Sequence, residues 1–168
     1  GADGRTIFRY LDCNIGMDAS AKESHYPDLY CTTPMSSQDL TVNPYTKNDG
    51  YVPLFLTEEL MLIKAEALYW RGDKTGAREW TIKAVEKSFE RFNCNTKYTE
   101  KYLKNVDYLP EIGFNIGHIM RQKYVCMYLQ PEIWTDMRRY NYSNNKNNVT
   151  YDGVVIYPNL KRPYNLYE

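Results

Sequence analysis

No stretch of this chain approaches the ~18 to 20 consecutive apolar residues that a membrane-crossing helix needs. Histidine is nearly missing, with only His25 and His118, and the four cysteines, Cys13, Cys31, Cys94 and Cys126, include no C-x-x-C pair. Zinc-ligand spacing is therefore absent. The chain also lacks a G-x-S-x-G elbow, a Walker loop, an H-E-x-x-H pair and a G-x-G-x-x-G turn. The common sequence templates for acyl transfer, nucleotide binding and metalloproteolysis thus find no foothold. Net charge is missing too, because 21 lysines and arginines offset 21 aspartates and glutamates. Without a positive field nothing draws the chain toward a polyanion, and nucleic acid is not an expected partner. The first residues carry neither a basic n-region nor an apolar h-region, so any export signal is expected to lie outside these residues. No metal and no cofactor are expected.

What is present points to one modest domain. At 168 residues the chain can bury a real core, and it reads as one domain or a piece of a larger protein. Aromatic residues reach 15%, chiefly through 17 tyrosines, and asparagine is abundant. Both residue types suit sugar or peptide faces, and both also suit ordinary wet surfaces. Cys126 falls in an apolar helical stretch and reads as a small buried hydrophobe. Cys13 and Cys31 stand 18 residues apart, a separation that permits a disulfide and requires none.

Residues 1–56 are rich in breakers, among them Gly4, Gly16, Pro27, Pro34, Pro44, Asn48-Asp49-Gly50 and Pro53. They read as loops, with Tyr51-Val52 and Leu54-Phe55 as strand candidates. The helical core is expected over 57–140. Thr57 is placed to cap a helix, "TEELMLIKAEALYWRG", which Gly72 ends. Glu58 and Glu59 suit its positive end, whereas as adjacent helical residues they point about 100° apart and cannot easily converge on one bond. A second helix, 74–92, sets Ala77, Trp80, Thr81, Ala84, Val85, Ser88, Phe89 and Phe92 on one face. Further helices are expected at Thr99 to Val106, at 113–129 and at 131–139. The last is started by Pro131 and turns Ile133, Trp134 and Met137 to the core. Residues 141–168 read as an asparagine-rich loop, then a short strand and an extended tail. The expected fold class is mostly α, a helical array with long loops and a few short strands.

In the last helix Trp134 and Arg138 share a face, where the guanidinium can stack on the indole, and Asp136 can pair with Arg139. An arginine pair could also take phosphate or a carboxylate, but no glycine-rich loop accompanies it. His25 and His118 have no partner at a meaningful spacing. A glycosidase would need two opposed carboxylates roughly 5 to 10 Å apart, and the sequence nominates no such pair.

The first two helices resemble a tetratricopeptide hairpin, because Ala65, Gly72, Ala77 and Ala84 take the spacings of that repeat's small residues. Lys64 and Thr81 depart from it, and no second copy follows. More specific is "IMRQKYVCMYLQPEIWTDMRRYNY", which closely resembles the C-terminal signature of SusD/RagB-like outer-membrane lipoproteins. There a Q-K helix is followed by a break and an E-x-W-x-D/E-x-R-R helix. Gln122, Lys123, Glu132, Trp134, Asp136, Arg138 and Arg139 carry the match. "VPLFLTEELMLIKAEALYWRGD" and "IYPNLKRPYNLYE" resemble two further family segments in the same order, so the resemblance covers about residues 50–168. It implies a helical fold on tetratricopeptide-like hairpins, held at the bacterial cell surface by an N-terminal lipid anchor that these residues do not include. It also implies non-catalytic binding of a polysaccharide, oligosaccharide or other nutrient, and delivery to a TonB-dependent transporter. The signature residues look like core and helix-junction positions. Tyr26, Tyr30, Tyr45 and Tyr51 are the loop candidates for sugar contact, since sugar faces stack on exposed rings. A helical protein-interaction module is the alternative reading, and it predicts exposed apolar surface on 57–92.

Overall fold

The computed structural model describes residues 53–91, 96–128 and 130–158, with 96–98 described by backbone alone. Tyr26, Tyr30, Tyr45 and Tyr51, Cys13 and Cys31, and the closing segment from Asn159 lie outside the described residues. The described part is helical, in the order α1 (Thr57–Trp70), α2 (Lys74–Arg91), α3 (Thr96–Leu103), α4 (Ile116–Cys126) and α5 (Glu132–Arg139). Of the expected strands, the described residues hold a single antiparallel bridge, Tyr151 to Val154. Leu54 and Phe55 are exposed and not in a strand.

α1 begins one residue earlier than its sequence suggests. Leu56 takes the cap position without a side-chain bond, and Thr57 is already helical. Glu59, at the third helical position, accepts from the Leu56 backbone N–H, which supplies one half of a capping box. The other end of α1 closes as Gly72 predicts. Gly72 sits at φ +91, and the N–H groups of Gly72 and Asp73 return to Tyr69 O at 2.9 Å and Leu68 O at 3.0 Å. That double bond is the Schellman closure, which needs a left-handed residue. Asp73 then caps α2 by accepting from Gly76 N at 2.8 Å.

The chain divides into two compact units, Gly1–Phe55 with Phe89–Tyr102, and Leu56–Ser88 with Leu103–Glu168. In the first, the Phe89 and Tyr102 rings meet at 5.3 Å between centroids. In the second, α1 packs on α4, burying Leu62, Ala65 and Tyr69 from one helix and Ile116, Ile119 and Met120 from the other. On α2 the expected face is buried at Ala77, Thr81, Ala84, Val85, Ser88 and Phe89. Trp80, at its margin, holds Lys64 Nζ 3.7 Å and Lys83 Nζ 4.7 Å from its ring centroid. Cys126 is buried, as its apolar neighbours imply.

α3 runs three residues ahead of its expected place, Thr96–Leu103 against Thr99 to Val106. Asn105 explains the early stop, because its side chain accepts from Asp107 N at 2.9 Å and its carbonyl from Tyr108 N at 3.1 Å. That local turn competes with another helical turn. α4 is shorter than 113–129 for a similar reason. Gly113 takes φ +78, and Asn115 forms a capping box with His118, whose Nδ1 accepts from Asn115 N at 3.2 Å.

His118 is therefore a satisfied capping residue. Burial, and next the Arg121 charge, hold its pKa below the ordinary histidine value. The folded state prefers the neutral ring, so its contribution is whole above the ordinary value near 6.5 and is lost as pH falls through the depressed folded value. We expect the urea midpoint to drop on acidification through that window, and His118→Gln to flatten the drop while retaining a capping acceptor. An unchanged pH profile in the variant would remove His118 from this role.

Candidate functional site

Three of the signature residues, Lys123, Asp136 and Arg139, meet Glu66 of α1 in a chain of charges, while Trp134 and Arg138 stay exposed. Asp136 on α5 accepts from Lys123 Nζ of α4 at 2.7 Å and from Arg139 Nη2 at 2.7 Å. Arg139 then reaches 73 positions back to α1, gripping both oxygens of Glu66, with Nη2 to Oε2 at 2.9 Å. Such a two-pronged guanidinium contact fixes angle as well as distance. Tyr140 completes the chain by donating its hydroxyl to Glu66 Oε1 at 2.5 Å. Burial, reinforced by the Glu66 hydrogen bond, raises the Tyr140 pKa, and burial does the same at neighbouring Tyr157. Both hydroxyls stay protonated and available as donors.

Two cations face two carboxylates, so the cluster is neutral. Lys123 and Asp136 are the deeper pair, with side chains 6% and 9% exposed, while Arg139 opens to solvent. A buried ion pair is not stabilising merely by existing, because desolvation opposes its attraction. Its geometric demand is the surer consequence, since α1, α4 and α5 must stand where these groups can meet. Gln122, the neighbour of Lys123, is wholly buried.

Two sequence expectations change here. The Asp136 to Arg139 pair forms, but no cation–π contact joins Arg138 to Trp134 among the described residues. The Trp134 ring instead meets Tyr142 edge-on at 5.6 Å. Trp134 also does not turn to the core, being 50% exposed. The face that α5 buries runs through Asp136, Met137 and Tyr140, and Trp134 stands at its edge. Glu66 and Tyr140 were missed as members of the cluster. Glu66 was nonetheless signalled, sitting in phase with the apolar residues Leu62 and Tyr69 on the face that α1 buries.

Beyond α5 the chain turns through left-handed residues, Asn141 and Tyr142, both at φ 48. Their N–H groups bond to Arg138 O at 2.9 Å and Met137 O at 2.8 Å, closing α5 as Gly72 closes α1. The asparagines that follow hold backbone. Asn144 accepts from Lys146 N at 2.8 Å and donates to Tyr142 O at 2.7 Å. Asn147 accepts from Asn144 N at 3.0 Å and Val149 N at 3.1 Å. Ser143 Oγ accepts from Ile156 N at 2.9 Å and so pins the returning chain. Tyr69 adds another tie by donating to Asp152 and accepting from Ile116 N–H, its pKa pushed up to about 12, first by burial and then by the Asp152 hydrogen bond.

An open cleft of about 490 Å³ lies in the same unit, between the first turns of α2 and the segment before α4. Arg78 fixes one wall, its Nε donating to Pro110 O at 2.9 Å and its Nη2 to Leu109 O at 3.0 Å. Lys74, Glu79, Glu111 and Phe114 also line it. Among the described residues no group of three or more histidine, cysteine, aspartate or glutamate side chains is placed to hold a metal ion. None of the described helices is long and apolar enough to cross a membrane.

Removing one member of the deep pair leaves its partner charged and buried. We expect Asp136→Ala to cost roughly 3–5 kcal/mol in chemical denaturation. Lys123→Met with Asp136→Leu should lie much closer to the parent. A single-variant cost below about 1 kcal/mol would show that the pair does not hold the helices. Glu59 behaves oppositely. Burial, and next the Glu132 charge, raise its pKa despite Lys123 nearby. Its favourable contribution is whole below the ordinary glutamate value and lost as pH rises through the folded one. Glu59→Gln should therefore melt higher than the parent at neutral pH, with the gain vanishing in acid; an equal gain at both pH values would refute the assignment.

No curated protein and no solved structure matches the chain. A SusD-like family model, described as "Starch-binding associating with outer membrane", matches residues 6–160, nearly the full length. The match takes in the helix that carries Glu66, the Gln122 to Arg139 block and the braced loop beyond it, so the chain belongs to the SusD-like family.

Proposed function

We propose that this protein binds a glycan, without catalysis, at the bacterial outer-membrane surface and delivers it to a TonB-dependent transporter. The observation that carries the reading is the family match over residues 6–160. In this reading a lipid anchor holds the protein to the membrane. The buried charge chain serves as scaffold here, locking α1, α4 and α5 so that loops can present a stable surface. Trp134, Asp136, Arg138 and Arg139, with Gln122 and Lys123, are structural in this reading. Loop tyrosines Tyr26, Tyr30, Tyr45 and Tyr51 remain candidates for stacking on sugar.

Protein docking is a second reading favoured by one observation. α1 keeps Leu60 and Ile63 about half exposed off its buried face, whereas Trp70, also half exposed, turns its indole N–H to the Tyr140 hydroxyl and its ring edge-on to Tyr69. Exposed apolar neighbours such as Leu60 and Ile63 are the kind of surface on which a partner protein docks. The two readings are compatible if the docked protein is the transporter.

Calorimetric titration of the full chain with maltooligosaccharides, other neutral polysaccharides and anionic polysaccharides is expected to give saturable heat with at least one glycan and no release of reducing ends. Silence across the panel would count decisively against glycan recognition, and reducing-sugar release would overturn the non-catalytic assignment.

A further inference from the structure

The short hairpin that follows the asparagine-rich loop turns on an Asp–Gly pair. Tyr151 and Val154 exchange both backbone hydrogen bonds, at 2.9 Å and 3.0 Å, with Asp152 at φ 50 and Gly153 at φ 72 between them. Two successive left-handed residues make the tight hairpin turn for which Asp–Gly is favoured. The same pair carries a reaction of its own. The amide nitrogen that follows an aspartate can attack the side-chain carboxyl carbon, and glycine leaves that nitrogen unshielded. Gly153 is exposed, and a Cβ built on it would meet nothing within 4 Å. Its N–H has no hydrogen-bond partner among the described residues. The nucleophile of the pair is therefore accessible.

The electrophile, by contrast, is held. Asp152 Oδ2 accepts from the Tyr69 hydroxyl of α1 and stands 3.5 Å from Lys74 Nζ of α2. Tyr69 is buried and its oxygen also accepts from the Ile116 N–H, so the donor cannot follow if the carboxylate swings toward Gly153. The Tyr69 hydrogen bond, and next the Lys74 charge, hold the Asp152 carboxyl below its ordinary pKa. The ionised form resists attack, because oxide is a poor leaving group. We infer that Asp152–Gly153 is a succinimide-forming site and that Tyr69 and Lys74 keep it unmodified. In the reaction the Gly153 nitrogen bonds to Asp152 Cγ, and its proton leaves with the carboxyl hydroxyl as water. Water then opens the ring at one of its two carbonyls, with no oxidation or reduction. Opening at Cγ restores aspartate, whereas opening at the Asp152 backbone carbonyl routes the chain through Cγ as isoaspartate. The added backbone methylene takes the Tyr151 and Val154 hydrogen bonds out of register and draws the carboxylate away from Tyr69. Modification therefore unfastens the hairpin from α1 and α2, whatever ligand the protein binds.

The test is site-resolved peptide mapping, because the sequence also holds Asp3–Gly4 and Asp49–Gly50. The full chain is kept at physiological temperature and neutral pH, and isoaspartate at position 152 is followed by mass spectrometry with electron-transfer fragmentation. A synthetic peptide spanning 149–156 gives the rate without the fold. Tyr69→Phe and Lys74→Gln each remove one holding group, Glu86→Gln is an exposed control, and circular dichroism melting checks that each variant is folded. The parent is expected to isomerise about tenfold or more slowly than the peptide, and Tyr69→Phe to accelerate it roughly three- to tenfold, as loss of a hydrogen bond to an ionised group predicts. Lys74→Gln should accelerate it about twofold, the scale of an exposed ion pair, and Glu86→Gln not at all. A peptide that forms no isoaspartate would overturn the site. A folded parent that reacts as fast as the peptide would overturn the protection. Parental rates in both folded variants would show that the hairpin protects itself and would overturn the roles of Tyr69 and Lys74. If Tyr69→Phe melts below the incubation temperature, Lys74→Gln decides, and a parental rate there would overturn the assignment.

Discussion

The grip of Arg139 on Glu66 joins residues 73 positions apart, and the rest of the described second unit is arranged around it. A guanidinium fork accepts a carboxylate only over a narrow range of angles. α5 therefore cannot slide along α1 without losing both hydrogen bonds. Asp136, one helical turn before Arg139, extends the constraint to Lys123 and hence to α4. Apolar burial between α1 and α4 supplies the attraction, and the charges select one alignment from several that the apolar faces would accept.

That alignment carries through to the chain beyond α5. Because α5 ends at a fixed place, its left-handed closure at Asn141 and Tyr142 launches the next loop in one direction. Asn144 and Asn147 then brace each other's backbone, and Ser143 holds Ile156. Asn144 and Asn147 thus have a structural role that needs no ligand, since both already use their amides locally. Carbohydrate contact, in the reading developed above, falls instead to surfaces whose polar groups are not consumed by the fold.

The cleft beside α2 depends on the same logic at smaller scale. Arg78 binds two backbone carbonyls and so joins a helix to an irregular segment. The capping box of Asn115 and His118 fixes where that segment becomes α4. Its shape follows from three local devices, a pinned arginine, a left-handed glycine and a helix cap. Each is soluble in ordinary terms of backbone geometry and hydrogen bonding.

Much of this was legible along the sequence because it is local. Gly72 as a stop, the helical phase of Ala77, Thr81, Ala84, Val85 and Ser88, and the break at Pro131 all follow from periodicity and backbone preference within a few residues. The resemblance carried by the Gln122 to Arg139 block was legible too, as was the pairing of Asp136 with Arg139 at helical spacing. The tertiary structure alone decided which carboxylate Arg139 holds, that Trp134 stands half in solvent against Tyr142, and that Asn105 stops α3 early. It also decided that Lys74, Arg78, Glu79 and Glu111 share one cleft. The physical reason is range: a helix's phase is set by neighbours three or four positions away, whereas a salt bridge over 73 positions exists only once burial has brought two distant helices together.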